Sequence, residues 1–525
     1  MNLNSIELYD TTLRDGAQTW GITFSLDDKI RIAKKLDDIG IDFIEGGYPG
    51  SNPKDRRFFE EINRLNLRHS VITAFGSTCR ADLAPEKDSQ IQSLIDTKTS
   101  SVTIVGKSWN LHVTEILAVT LERNLEMIRD TIEFLRSRFD RVVFDAEHFF
   151  DGFKHNPEYA ISSLRAACSA DLICLCDTNG GTLPSETAEI IKVVQEQTST
   201  PLGIHSHNDS DTAVACSLAA AEIGVKQIQG TINGIGERCG NANLVSIIPA
   251  LSLKMKLLEF KPDKLKLLKH LSEFVDEMAN RTPNKAQPYV GAAAFAHKGG
   301  LHSSAVIKMP VAYEHMDPQL VGAVRLMPIS EQAGRAALSL KAAKFGIDLT
   351  PGDPRLEEVL KIVKDLEAQG ARYDIADGSF ALLLKRMLGL HRKFFTLHGF
   401  SVTSSKRKGD TRTYSDAVIR IVVRDKMEFS AAEGNGPVNA LDNALRQALT
   451  NFYPNVGEVR LTDFKVRVLE GSSGTGAVVS VLIESTDGED VWWTVGFNEN
   501  VIQASWNALV DSIDYKLQKD LAKTG

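Results

Sequence analysis

A chain of 525 residues is longer than one ordinary hydrophobic core organises, so two or three domains are expected. Its 43% hydrophobic and 24% charged residues are those of a soluble globular protein, and a formal charge of −8 argues against a nucleic-acid binder. An acidic total still leaves room for a local basic pocket around a phosphorylated cofactor.

The N-terminal MNLNSIELYD runs straight into a strand-like pattern, with neither the basic nor the apolar region of a secretory signal. No apolar stretch reaches the roughly 18 residues that span a bilayer, so no membrane partner is expected. The cysteines Cys79, Cys168, Cys174, Cys176, Cys216 and Cys239 lack a CxxC pair, which argues against a zinc ribbon or disulfide framework. Most lie in apolar runs and are expected as small core residues of a cytoplasmic protein.

Over residues 1–265 strand-like runs alternate with helical ones: SIELYD, IDFIEGG, HSVITAF, SVTIVGK, RVVFDAE, DLICLCD, PLGIHSH and KQIQGTI. Between them, stretches such as Asp27 to Ile39 and Leu121 to Phe139 space apolar residues three and four apart. Eight strands each followed by a helix predict an α/β fold, the closed (β/α)8 TIM barrel. The alternative, a doubly wound open sheet, would normally carry a GxGxxG-type turn after its first strand, and none is present.

Residues 266–394 become helical and loop-rich around GAAAFAHKGG, an extension rather than a second sheet. From 395 to 525 the pattern changes again, with the strands DAVIRIVV, FKVRVLE and AVVSVLI. There GPVNALDNAL aligns with NVIQASWNAL at an offset of 64 residues, matching Ala440 with Ala504 and Asn443–Ala444–Leu445 with Asn507–Ala508–Leu509. Each stretch follows strands and opens a helix, so an α+β domain of duplicated βββα units is expected. It has no catalytic polar cluster, which favours a ligand-binding or dimerising role.

Barrel active sites lie at the C-terminal ends of the strands. His205 and His207 are two apart on the seventh strand and project to one face, where two imidazoles take adjacent positions on a divalent ion. The alternative is a pair of histidines hydrogen-bonded within a polar barrel mouth. Asp15, after the first strand, offers an acidic ligand nearby, and such a mixed N/O set suits Mn²⁺, Mg²⁺, Zn²⁺ or Co²⁺. Arg14 either stabilises an enolate or alkoxide or closes the mouth by pairing with a carboxylate. Glu45 ends the second strand. Glu147, ending the fifth, either orients a water or substrate hydroxyl or partners Arg14.

Together LYDTTLRDGAQ, HSHND and GERCGNANL resemble the three signatures of the DRE-TIM metallolyase superfamily, nearest to its Claisen-condensing branch of 2-isopropylmalate, homocitrate and citramalate synthases. The resemblance covers essentially the whole chain. It implies Asp15, His205 and His207 as metal ligands with Asn241 as a further one. It also implies Arg14 at the developing oxyanion, Thr178 on the keto acid carboxylate, and Glu147 as the active-site glutamate. AHKGGLHSSAV resembles the segment that carries a catalytic histidine, here His302, and YEHMDPQLVGAVR the following segment, which offers Tyr313. An obligate homodimer with composite active sites is implied, and a C-terminal regulatory domain that binds an end-product amino acid.

DGAQ, ITAFGST and VWWTVGFNENVIQASWNALVDSIDYKL resemble the citramalate-forming members of the branch. That implies acetyl-CoA and pyruvate as substrates and isoleucine as inhibitor. The alternatives are 2-ketoisovalerate with leucine control, a lyase running the reverse chemistry, and a catalytically inactive amino-acid sensor.

Overall fold

The computed structural model describes residues 6–327, 335–350, 352–368, 373–406, 413–469 and 477–524; Ser5 of SIELYD and Glu470 of FKVRVLE fall outside these. The chain forms two compact units, Met1–Phe295 with Met316–Arg325, and Ala296–His315 with Leu326–Gly525.

In the first unit the strands are β1 (Glu7–Asp10), β2 (Phe43–Gly47), β3 (Val71–Ser77), β4 (Ser101–Lys107), β5 (Arg141–Glu147), β6 (Leu172–Asp177), β7 (Leu202–Ser206) and β8 (Gln227–Gly230). They pair in parallel in sequence order, and β1 closes on β8 with Tyr9 opposite Gln229, so the sheet is a barrel and not an open one. β2, β6, β7 and β8 are buried along their whole length. Strands covered on both faces carry short continuous runs rather than strict alternation, which is how they read in the sequence.

The helices between them follow from equally local causes. Ser25 caps the helix Leu26–Ile39 in a reciprocal box with Asp28; Ile32, Ala33, Leu36 and Ile39 bury its inner face; Gly40, at φ 99°, ends it in the left-handed region. The apolar period that continues to Phe139 outruns its helix, which stops at Arg136 while Phe139 stays buried in the turn to β5.

The barrel lumen departs from the usual layers of Val, Ile and Leu. Tyr9 on β1 bonds Thr103 on β4, and Gln229 on β8 bonds Asp145 on β5, contacts between non-neighbouring strands that only the lumen permits. All four side chains are fully or almost fully buried.

In the second unit β9 (Phe395–Ser405), β10 (Tyr414–Val423) and β11 (Lys426–Gly434) form an antiparallel sheet followed by the helix Pro437–Thr450. A second sheet, β12 (Arg460–Val468), β13 (Val479–Thr486) and β14 (Val491–Asn498), precedes the helix Val501–Thr524. This is the duplicated βββα arrangement. Its matched residues Ala440, Ala444 and Leu445, and Ala504, Ala508 and Leu509, are the buried faces of the two helices. Cys79, Cys174, Cys176 and Cys216 are buried free thiols, whereas Cys168 and Cys239 are exposed. Among the described residues no helix is long and apolar enough to cross a membrane.

Candidate metal centre

The turn after β1 is set by its own side chains. The Asp10 carboxylate accepts the Thr12 N–H at 2.9 Å and its hydroxyl at 2.8 Å, and Thr12 Oγ1 accepts the Ile232 N–H at 2.9 Å. This Asx-type turn pins the segment to the end of β8 and leaves Asp15 facing the barrel axis. β7 stops at Ser206, one residue short of the second histidine. His207 keeps its place through an antiparallel bridge to Asn241, with Asn208 N–H on Gly240 O and Ala242 N–H on Ser206 O, both at 2.9 Å. The GERCGNANL loop thus straps itself over HSHND. Gly236 makes that possible, because a Cβ there would lie 1.6 Å from Asn241 Oδ1.

Around Asp15 Oδ2 stand Asn241 Nδ2 at 3.1 Å, His205 Nε2 at 3.2 Å and His207 Nε2 at 3.8 Å. All four residues are buried, yet Asp15 Oδ1, His207 Nδ1 and Asn241 Oδ1 have no hydrogen-bond partner. An unpaired buried polar atom costs about 1–3 kcal/mol, so the unpartnered Asp15 Oδ1 and Asn241 Oδ1 beside the two imidazoles mark a site shaped for something else. A carboxylate, two imidazoles and an amide within this span fit a divalent ion. For Asp15 and His207 the electrostatics agree. Burial would raise the Asp15 carboxyl, but Arg14 and the two imidazoles outweigh it and hold it far below the usual carboxylate range. Burial, reinforced by His205, lowers His207 to about 4, which keeps it neutral as a ligand must be. For His205 burial is outweighed by the Asp15 hydrogen bond and charge, and its pKa is raised.

Arg14 is fixed beside this cluster. Its Nε donates to Glu45 Oε2 at 2.6 Å, its Nη1 lies 3.4 Å from Asp15 Oδ2, and its guanidinium covers the Phe75 ring at 4.0 Å. Glu45 is held in turn: the Tyr9 hydroxyl donates to its Oε1 at 2.8 Å, and the Thr103 hydroxyl sits 2.8 Å from the Tyr9 oxygen. The expected alternative partner, Glu147, is not the one Arg14 takes. Glu147 stands opposite Lys107 in the β4–β5 register and pairs with it, whereas β2, which carries Glu45, is the neighbour of β1. Glu45→Gln should therefore loosen Arg14 without touching a ligand. A charged hydrogen bond of about 1.5–3 kcal/mol corresponds to a fall of roughly 10- to 100-fold in kcat, read by steady-state kinetics at saturating metal.

Thr178, just past β6, accepts the His148 N–H on its Oγ1 at 2.9 Å, which leaves its own O–H free to donate. His148 holds a left-handed conformation, φ 55°, that aims its N–H there. In the second unit, His302 on the helix Gly300–Lys308 and Tyr313 lie with ring centroids 4.4 Å apart, and Tyr313 is 48% exposed. The structure thus gathers Arg14, Asp15, His205, His207 and Asn241 in one unit and His302 with Tyr313 in the other. The contacts of Glu45 with Arg14 and Tyr9, and of Gln229 with Asp145, are not among the sequence expectations. Their signal is a polar residue in an otherwise apolar buried strand, as in FIEGG, RVVFDAE and KQIQG.

Residues 5–275 match the HMGL-like family, 289–371 the homocitrate synthase post-HMGL domain-like family, and 374–517 the LeuA allosteric (dimerisation) domain. An (R)-citramalate synthase of Geobacter sulfurreducens is 53% identical over 519 residues, 98% of each chain. One from Aquifex aeolicus is 52% identical over 518 residues, again 98% of each chain. A 2-isopropylmalate synthase of Methanocaldococcus jannaschii is 31% identical over 530 residues, covering 99% of this chain and 96% of its own.

Proposed function

We propose, from the premise that the chain belongs to the (R)-citramalate synthase family of DRE-TIM metallolyases, that it condenses acetyl-CoA with pyruvate and hydrolyses the thioester to (R)-citramalate and CoA. The observation that carries the chemistry is the buried convergence of Asp15, His205, His207 and Asn241 beside a fixed Arg14. A divalent ion held by those four residues supplies Lewis-acid polarisation of the keto carbonyl. Thr178 donates its free hydroxyl hydrogen to the pyruvate carboxylate. Glu147, paired with Lys107, orients a water or a substrate hydroxyl. His302, with Tyr313 against its ring, takes a proton from the acetyl-CoA methyl, and the enolate carbon attacks the keto carbon. Arg14, held by Glu45, stabilises the oxyanion that forms. Water then cleaves the thioester, which makes the overall reaction effectively irreversible.

In this reading residues 1–265 bind metal and keto acid, 266–394 bring the base, and 395–525 regulate and dimerise. The protein is a homodimer in which His302 and Tyr313 serve the partner's barrel; the match to a dimerisation domain supports the dimer. Isoleucine, the end product of the pathway that uses citramalate, is the inhibitor. A cavity of about 610 Å³ beside the helix Pro437–Thr450 suits the apolar side chain of such an amino acid, since Val438, Val459, Leu461 and Phe464 line it, while Asp442 and Arg446 at its wall pair with each other. A cytoplasmic location accords with the buried free thiols.

The second reading is 2-isopropylmalate synthase; identity of 53% against 31% favours pyruvate over 2-ketoisovalerate. Thiol release from acetyl-CoA decides between them. We expect kcat/KM for pyruvate to exceed that for 2-ketoisovalerate by about 10- to 200-fold, the range one or two methyl groups allow in a pocket. Isoleucine rather than leucine should inhibit. The reverse preference overturns the pyruvate assignment, and no CoA release with either acid supports the sensor.

A further inference from the structure

Behind His205, two glutamines of β8 run as a hydrogen-bonded stack down the barrel lumen. Gln229 Oε1 lies 3.0 Å from His205 Nδ1. Gln229 Nε2 donates to Asp145 Oδ1 at 3.0 Å and to Gln227 Oε1 at 3.3 Å. Gln227 Nε2 donates to Glu7 Oε2 at 3.2 Å, and Glu7 is ion-paired with Arg141. Gln227 and Gln229 are two apart on the strand and share a face, and both are completely buried.

Such a stack has a direction. An amide donates from one end and accepts at the other, so the group that anchors one amide dictates the orientation of the next. Glu7, ion-paired with Arg141, accepts. It therefore claims Gln227 Nε2 and turns Gln227 Oε1 toward Gln229. Two oxygens, from Gln227 and Asp145, then claim Gln229 Nε2, which leaves Gln229 Oε1 for the imidazole. A carbonyl oxygen there requires the proton of His205 on Nδ1. In the neutral ring His205 Nε2, 3.2 Å from Asp15 Oδ2 and 3.1 Å from Asn241 Nδ2, is then the nitrogen whose lone pair a divalent ion would take.

We infer that Gln229, oriented by Gln227 and Asp145, is a positioning residue that holds His205 in the Nδ1–H tautomer and so sets the affinity of the site for a divalent ion. This rests on the reading of His205 as a ligand. His207 has no equivalent support, since its Nδ1 is unpartnered, so the relay acts on one ligand of the pair. Partners of this kind behind a ligating histidine typically change metal affinity by about 10- to 100-fold.

The test is Mn²⁺ titration of the full-length metal-free protein, with the free ion read by electron paramagnetic resonance and folding checked by thermal melting. Gln229→Met, which keeps the volume and removes the acceptor, should bind about 10- to 100-fold more weakly, with turnover recovering at high Mn²⁺. Gln229→Glu, whose carboxyl keeps an acceptor toward the ring and shares one proton with Asp145 in place of the amide N–H, should bind Mn²⁺ more tightly than Gln229→Met. Equal affinity in Gln229→Met, or equal weakness in the two variants, overturns the inference. If Gln229→Met does not fold, Gln227→Met is read instead; it should weaken binding about threefold or more, and unchanged affinity overturns the relay. Asp15→Asn run alongside separates the two readings. If it leaves Mn²⁺ binding intact, the metal assignment fails; if it abolishes binding while Gln229→Met has no effect, only the relay fails.

Discussion

Asp15→Asn should abolish turnover. The substitution is nearly isosteric but replaces the anionic ligand at the centre of the cluster with a neutral amide. His205, His207 and Asn241 all face Asp15 Oδ2 within 3.8 Å, so no other carboxylate among them takes its place. Polarisation of the keto carbonyl is worth several kcal/mol, and about 4 kcal/mol is already a roughly 10³-fold loss in kcat. Thermal melting makes the result specific. An ion that binds only the folded protein raises Tm with concentration, so the unmodified protein should gain Tm with Mn²⁺ and Asp15→Asn should not. In the absence of metal the variant should remain folded, because Arg14 keeps its stronger partner, Glu45. Near-normal turnover in Asp15→Asn would sink the ligand assignment.

His302→Ala should separate binding from proton transfer. Removing the base should lower exchange of the acetyl-CoA methyl protons into deuterated water by about 10²- to 10⁴-fold, while pyruvate still binds with nearly its original affinity. The exchange is followed by proton NMR and pyruvate binding by calorimetry. Tyr313→Phe should have a smaller effect, since the phenylalanine ring still packs against the imidazole and only the hydroxyl is lost. Undiminished exchange in His302→Ala would move the base elsewhere, with the Glu147 carboxylate as the next candidate. A mixture of His302→Ala and Asp15→Asn protomers tests the dimer: if the base serves the partner's barrel, a hybrid should regain activity that neither variant has alone.

Some of this was legible in the chain because its causes are local. Each barrel strand is covered on both faces and so reads as a short apolar run, and the helix Leu26–Ile39 carries its own cap at Ser25 and its own stop at Gly40. The paired imidazoles follow from the two-residue period of an extended backbone. The duplication showed because Ala440–Leu445 and Ala504–Leu509 repeat one buried helix face.

What the sequence left open was which polar groups meet, and there only the tertiary structure decides. Glu45 and Glu147 end strands in the same manner, yet one holds Arg14 and the other Lys107, because partner choice depends on strand adjacency and register in the closed barrel. Tyr9 with Thr103 and Gln229 with Asp145 meet across a lumen that has no counterpart along the chain. By itself the sequence determined the barrel, the duplicated second domain and the ligand types at strand ends. The closure of the barrel determined which neighbours orient those ligands, since a hydrogen bond is settled by distance in space and these residues lie far apart along the chain.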